Sequence, residues 1–448
     1  MSLLFEYGNW ESVSQPDALQ AALRQIWHQD LFADPDAEPT EEQNDRRFQP
    51  FLKFDGNRIR ANNFVGFVQH NDEVIEIYPK VFRHIPDVHL EKELMLRHIF
   101  YWFGYCRKWR FPFNRASLDV IEIDQFPELI INLIANQFLE TISEQPLTMY
   151  QPVEESMITR RGSINFARYA GKGLTHGNFH ILECDHEPFL FDNRVNRIIK
   201  YCTRALLNQT RFHENQRVLQ EVLFILDEVD DVICHVTDLD KISLNPFFEN
   251  YVRVMEMSKL VLSQNLYSTT TYDMSQWCLL FPMEYIFEDF VAGFLKEKFH
   301  EQWKVEYQKS DQYLSNNPRA FQMRHDIFLT AKDDTDRKII VDTKYKLRDR
   351  DFKSDIKKGI DQGDLYQMVS YAVKRGCTEV VLLYPNLSED ISLPDRFEVA
   401  SGFTGRESIN ITAFEIPFWS WNDFKSLDQK LINILEENLA NINNFQKI

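Results

Sequence analysis

Glycine and proline are scarce, 14 and 17 residues in a chain of 448. That scarcity excludes collagen-like, linker-like and low-complexity architectures. Paired cysteines are missing as well. Cys106, Cys184, Cys202, Cys234, Cys278 and Cys377 are scattered, without a C-x-x-C pair. This excludes a zinc knuckle and a disulfide framework, and leaves buried, reduced thiols. No apolar run approaches the ~18 residues that a membrane span needs; the best, Leu129 to Ala135, is broken by Asn132. The N-terminus carries Glu6 and Glu11 and no basic-then-apolar pattern, so it does not read as a signal peptide, and a cytoplasmic chain is expected. Positive charge is short too: 50 basic against 68 acidic side chains leave a net charge of −18. For the molecule as a whole, that argues against nucleic acid as a partner. Locally it does not hold.

At 44% hydrophobic and 26% charged, the chain is globular, and its length suits two to three domains. The 36 phenylalanines fit several well-filled cores. The pattern predicts an α/β protein, α+β overall, in three parts. Residues 1–82 form a β-rich module, with a helix at 15–30, an acidic loop at 32–47 and strand-like runs at 51–54, 59–68 and 74–78. Residues 83–270 are mostly helical, with helices at 89–106, 126–142, 192–207, 217–229 and 247–263, and one strand pair around Arg161-Gly162. Residues 271–448 open on a polar linker and then alternate helix and strand. Helices are predicted at 283–299, 365–374 and 424–439, and strands at 304–307, 326–329, 338–345 and 380–384.

The last part holds the sharpest feature, Lys338-Ile339-Ile340-Val341-Asp342-Thr343-Lys344, preceded by Arg324-His325-Asp326-Ile327-Phe328-Leu329. Asp342 and Lys344 end a buried strand, two residues apart and therefore on one face. Ala331 to Arg337 is polar and turn-rich, and residue 334 lies midway between 326 and 342. A symmetric hairpin thus sets Asp326 opposite Asp342, with Cβ atoms about 4.5–5.5 Å apart. Two such carboxylates repel unless a cation lies between them, and hard oxygen ligands suit Mg²⁺. Lys344 beside that metal can stabilise developing negative charge. The alternative is an exposed hairpin carrying an ordinary Asp342–Lys344 salt bridge, since D-x-K recurs at Asp351, Asp355, Asp423 and Asp428.

Charge favours the metal. Residues 337–358 hold nine basic and four acidic side chains, a local excess of +5. Lys346, Arg348, Arg350, Lys353, Lys357 and Lys358 are the candidate DNA contacts, because phosphodiester cleavage needs counter-charge along the backbone and a Lewis acid at the scissile phosphate. A solvated basic loop is the bland alternative.

Asp326 followed by Asp342-x-Lys344, with a helix on each side, resembles the PD-(D/E)xK nuclease core. The ordered strings Phe287-Glu288-Asp289-Phe290-Val291, Ile340 to Tyr345, Asp364-Leu365-Tyr366-Gln367-Met368 with Tyr371, and Leu382-Leu383-Tyr384-Pro385 resemble the McrC family, the nuclease subunit of McrBC-type, 5-methylcytosine-specific restriction systems. Arg161 to Phe166 and Asp192 to Lys200 match the family's middle region, so the likeness spans roughly residues 85–448. His325 stands where the core's name places proline.

The resemblance implies that Asp326 and Asp342 are metal ligands and Lys344 the catalytic lysine. It implies that Glu288 completes the site from its helix, although Glu284 and Glu288 also suit the wet face of that helix. Gln367 matches a helical glutamine common after the motif, with Tyr371 one turn on; helix–sheet packing is the alternative for both. It further implies a McrB-like AAA+ GTPase hexamer as partner, with GTP hydrolysed there. Gly171-Lys172-Gly173 is no P-loop, having no glycine five residues earlier and no Ser or Thr after the lysine. Arginines ahead of the nuclease part are the candidate partner contacts: Arg58, Arg60, Arg160 and Arg161, with Arg46 and Arg47. Glu183-Cys184-Asp185-His186-Glu187 reads as a polar loop. The expected function is the Mg²⁺-dependent endonuclease subunit of a GTP-dependent complex acting on double-stranded DNA. Its rivals are a non-cleaving activator of the GTPase and a stand-alone repair-type nuclease.

Overall fold

The computed structural model describes residues 2–27, 49–71, 73–83, 91–106, 123, 125–150, 152–264, 276–348, 356–386, 393–400, 408–421 and 423–440. The expected acidic loop at 32–47, the linker at 268–275, and Arg46, Arg47, Arg350 and Lys353 lie outside them. The mixed α/β class expected from the sequence is the class of the structure. The chain forms two compact units. One holds Met1–Val68, Val74–Asp124 and Leu279–Ile448, and the other holds Gln69–Glu73 and Gln125–Cys278.

In the first unit, β1 (Ser2–Phe5) runs parallel to β6 (Glu73–Tyr78), and the sheet continues through β5 (Phe64–His70) to β12 (Gln276–Pro282). A smaller sheet has β2 (Glu11–Ser12), β4 (Arg58–Ala61) and β3 (Leu52–Asp55) in that order, and α1 (Pro16–Trp27) lies between its first two strands in the chain. The run expected as one strand at 59–68 is therefore two strands in different sheets. Asn62 turns the chain: its backbone N–H donates to Phe51 O at 3.1 Å and its side chain to Pro50 O at 2.6 Å.

The larger sheet of this unit has six strands, ordered β13 (Trp303–Asn316), β14 (Arg319–Ala331), β15 (Lys338–Thr343), β16 (Glu379–Pro385), β18 (Ile409–Ile416) and β17 (Asp395–Val399). The first three form an antiparallel meander, whereas β15, β16 and β18 are parallel. Parallel neighbours need a crossover, and α8 (Gln362–Arg375) supplies it between β15 and β16. Helices cover both faces, so the central strands are continuous apolar runs such as Val380–Tyr384, buried throughout. Ile340, Leu382, Tyr384 and Ile411 pack with Met368 and Ala372 of α8. Elsewhere in the unit, α2 (Lys92–Tyr105), α7 (Met283–Lys298) and α9 (Phe424–Ala440) meet in an aromatic core. There Trp102 stacks on Phe418 at 3.9 Å and donates from its indole N–H to Phe418 O at 2.8 Å, which satisfies the one polar group the ring buries. Tyr101 stacks on Phe424 at 4.7 Å, and the Tyr101 and Tyr105 hydroxyls both donate to Asp428. The abundant phenylalanine is spent here.

β13 and β14 far exceed the short strands expected at 304–307 and 326–329. Beyond the sheet they continue as a two-stranded ribbon, whose polar faces at residues 312–322 lack the alternation that marks a half-buried strand.

The second unit holds helices α3 (Phe126–Glu144), α4 (Arg194–Gln209), α5 (His213–Ile225) and α6 (Asn250–Gln264). Asn193 caps α4 by accepting from Asn196 N at 3.1 Å, while Asp192 pairs with Arg197 at 2.5 Å. β7 (Met149–Tyr150) pairs with β11 (Phe189–Leu190). Here one expectation is corrected. β8 (Val153–Met157) and β9 (Ser163–Ile164) do not pair with each other around Arg161-Gly162; both pair with β10 (Leu182–His186), which lies between them. A side chain at Gly162, where φ is +64°, would strike Asp185 O. The acidic string at 183–187 is thus mostly strand, and Arg168 bridges Glu154, Glu183 and Asp185. All six cysteines are free and buried. Among the described residues, no helix is long and apolar enough to cross a membrane.

Candidate active site

The hairpin register fixes the site. Ile327 lies opposite Val341 and Phe328 opposite Ile340, so the next pair outward is Asp326 with Asp342, as the symmetric turn predicts. Both carboxylates therefore leave adjacent strands on one face, toward α8. Asp342 also lies beside Leu382 of β16, and the Lys344 N–H donates to Leu383 O at 2.8 Å, which carries the parallel ladder one step past the strand.

Lys344 Nζ is 2.8 Å from Asp342 Oδ2, and only 16% and 6% of the two side chains is exposed. At that burial the pair is not the surface decoration that a bare D-x-K pattern allows. Burial pushes the Asp342 carboxyl up to about 7, and the Asp326 charge pushes in the same direction. Burial also raises Asp326, against the pull of the Thr343 N–H and the Lys344 ammonium. For Lys344 burial disfavours the charge, but Asp342, Asp326 and Asp364 together hold the ammonium protonated, above its ordinary value.

Two contributors are not evident from the motif. Thr343 donates from both its N–H (2.8 Å) and its hydroxyl (2.9 Å) to Asp326 Oδ2. Asp364, in the first turn of α8, stands 3.8 Å from Lys344 Nζ and 2.9 Å from Lys346 Nζ. Asp361 caps that helix by accepting from the N–H groups of Gly363 and Asp364, which sets Asp364 at the mouth of the site. The clue in the sequence was the D-x-x-D spacing just ahead of the apolar face of α8.

The remaining expectations divide. Glu288 lies on α7, which packs along β13, β14 and β15, and accepts from Gln308 Nε2 at 3.0 Å. Gln367 donates to the Tyr371 hydroxyl at 3.1 Å, and Tyr371 packs on the His325 ring at 4.7 Å, the helix–sheet packing kept open above. Lys346, Lys357 and Lys358 are exposed, Lys357 reaching Gln362. Arg348 is a correction. Its side chain is fully buried, donating to Lys358 O and to Asp395 at 2.7 Å and lying over the Tyr384 ring, so it braces the loop and is unavailable to DNA. Arg58 pairs with Asp55, and Arg60 donates to Tyr7 O at 2.9 Å. Arg160 and Arg161 are exposed on the turn between β8 and β9. Among the described residues, no group of three or more His, Cys, Asp or Glu side chains gathers to hold a metal. The carboxylate donors at this site are Asp326 and Asp342.

A family model described as McrBC 5-methylcytosine restriction system component matches residues 59–385. The chain belongs to this family. The match runs from the β-rich module through the second unit to β16, and it includes Asp326, Asp342 and Lys344. The fold is similar to a chain of the refined half-complex from the tetradecameric assembly of Thermococcus gammatolerans McrB AAA+ hexamers with bound McrC. The TM-score is 0.70 at 18% identity, over 96% of this chain and 99% of that one. A cryo-EM structure of the Thermococcus gammatolerans McrBC complex aligns at 20% identity over 66% of this chain and 86% of the other, with a TM-score of 0.49. No curated protein matches.

Proposed function

We propose that this McrBC-family chain is the endonuclease subunit of a GTP-dependent, modification-dependent restriction complex. It cuts double-stranded DNA by Mg²⁺-dependent phosphodiester hydrolysis on a PD-(D/E)xK core, and it stimulates a McrB-like AAA+ GTPase hexamer. One observation carries the reading: two facing carboxylates, Asp342 buried and Asp326 half-buried, with the Lys344 ammonium 2.8 Å from the first of these. A hard divalent cation suits this pair, because both carboxyls are pushed toward the neutral form by burial and need a counter-charge to ionise together. With two protein carboxylates, Mg²⁺ keeps coordination positions for water and substrate phosphate. Asp326 and Asp342 would hold the ion, which would polarise the scissile phosphate and lower the pKa of its water.

The chain's own residues do the rest. Thr343 fixes the orientation of Asp326. Lys344, kept protonated, faces the negative charge that develops on the phosphate. Asp364 holds Lys344 and Lys346 close together, so that Lys346, 57% exposed, serves the adjoining backbone phosphate. Lys357 and Lys358 extend that cationic rim. Partner contact is assigned to the exposed turn bearing Arg160 and Arg161, with Arg58 exposed as well and Arg60 turned back to Tyr7 O in its own module.

The test combines the protein, a McrB-like GTPase, GTP, Mg²⁺ and methylated or unmethylated duplex. Cutting of methylated DNA only when all components are present is expected. Arg160→Glu with Arg161→Glu should remove GTPase stimulation. Stimulation without cutting would make the chain an activator, and cutting without partner or GTP would make it a stand-alone nuclease.

A further inference from the structure

Behind the lysine of the motif lies a buried polar cluster that none of the proposed chemistry uses. Tyr345 directly follows Lys344, is 4% exposed, and points away from α8 against the rings of Phe287 at 5.8 Å and Phe418 at 6.2 Å. Its hydroxyl donates to Glu6 Oε2 at 2.8 Å. Its carbonyl oxygen accepts from Lys80 Nζ at 2.7 Å, and the same ammonium stands 4.1 Å from the centre of its ring. Glu6 and Lys80 are themselves joined, since the Lys80 N–H donates to Glu6 Oε2 at 3.0 Å. Both come from the N-terminal sheet, Glu6 just past β1 and Lys80 just past β6.

Such a cluster is a costly way to fill a core. Glu6 is fully buried, and its second oxygen, Oε1, has no hydrogen-bond partner among the described residues. An apolar side chain of the same shape would avoid that penalty. What the polar groups supply instead is direction. They hold Tyr345 at two points, one at each end of the residue.

We propose that Glu6 and Lys80 are positioning residues for the Lys344 ammonium, acting by clamping Tyr345 through its hydroxyl and its carbonyl oxygen. The N-terminal β-rich module is then a working part of the cutting centre. A backbone fixed immediately after the lysine limits the sweep of a long side chain whose tip must stay beside Asp342. The inference rests on the nuclease reading for its catalytic consequence, but the clamp itself is measurable without catalysis.

The experiment uses the full chain with Tyr345→Phe, Glu6→Ala and Glu6→Gln. Hydrogen exchange should accelerate about tenfold in the peptide covering residues 343–347 of Tyr345→Phe and Glu6→Ala, with β18 unchanged. In the assembled complex, kcat should fall about tenfold with KM unchanged, because a misplacement of the order of 1 Å is costly to turnover. Glu6→Gln, which keeps an acceptor for the hydroxyl, should recover most of both. The Glu6→Ala, Tyr345→Phe double variant should be no worse than the poorer single one. Unchanged exchange at 343–347, or faster exchange throughout the unit, would overturn the clamp; faster local exchange with kcat unaltered would overturn its role in positioning Lys344. If the wild type does not cut under any condition, the nuclease reading fails, and the exchange arm alone decides whether the module holds Tyr345.

Discussion

Thr343 grips a single oxygen of Asp326 twice, through its N–H at 2.8 Å and its hydroxyl at 2.9 Å. The strand that carries Asp342 therefore also aims the carboxylate opposite. Thr343→Val keeps the N–H bond and the shape and loses the hydroxyl bond. Groups that orient a metal ligand are typically worth 10–100-fold. Cleavage should drop by about that factor, and the Mg²⁺ concentration for half-maximal rate should rise. Unaltered Mg²⁺ dependence would show that the hydroxyl bond is idle.

Asp342→Asn should abolish cutting while leaving the fold and GTPase stimulation intact. It also removes a buried carboxyl that the Asp326 charge pushes up, so metal-free thermal stability should stay level or increase. Retained nicking by a clean preparation of this variant would sink the active-site assignment.

Arg348 and its basic neighbours should separate cleanly. Arg348→Met removes the bonds from a fully buried guanidinium to Asp395 and to the Lys358 carbonyl, and losing hydrogen bonds to a charged group typically costs about 1.5–3 kcal/mol. Lys357→Glu with Lys358→Glu should leave the melting temperature alone, weaken DNA cutting, and make it less steeply dependent on salt, because fewer phosphates are neutralised. The opposite pattern in calorimetry would return Arg348 to the DNA-facing set.

Glu6 should give a readable pH signature. Burial pushes its carboxyl from 4.5 up to about 7, against the attraction of Lys80 and with Glu284 adding to the rise. A raised carboxyl contributes fully below pH 4.5 and loses that contribution as pH climbs through about 7. Over that window wild type should therefore lose about 3 kcal/mol relative to Glu6→Gln. The raw profile hides this, because buried His98, lowered from 6.5 to about 4, gains over nearly the same range. Urea midpoints of the two proteins at matched pH values expose the difference; parallel curves would contradict it.

How far the sequence could be read depended on how local the determinants were. The Asp326–Asp342 pairing was legible because a short polar turn and two apolar strands fix a register by symmetry alone. The ribbon of β13 and β14 was not, since beyond the sheet it has no buried face and hence no alternation. Arg348 read as one more charge in a basic run, for charge counting cannot tell an outward guanidinium from one folded back onto Asp395. β10 was read as a loop because acidic side chains obscured a strand whose charges Arg168 compensates. The Glu6–Tyr345 bond joins residues 339 positions apart, and no local pattern announces it. The N-terminal module accordingly read as a part of its own; in the structure it shares a compact unit with the six-stranded sheet.

That separation has a consequence during synthesis. Glu6 leaves the ribosome 339 residues ahead of Tyr345, so the strands beside it must wait for their partner while more than three hundred residues are made. At about 5–20 residues per second, the wait lasts on the order of half a minute. In that interval the nascent chain carries a buried-type carboxyl with nothing to bury it, and the segment bearing Lys344 has not yet been seated. Until Tyr345 arrives, the N-terminal sheet has no hold on the segment after Lys344, and the centre proposed for cutting cannot assemble.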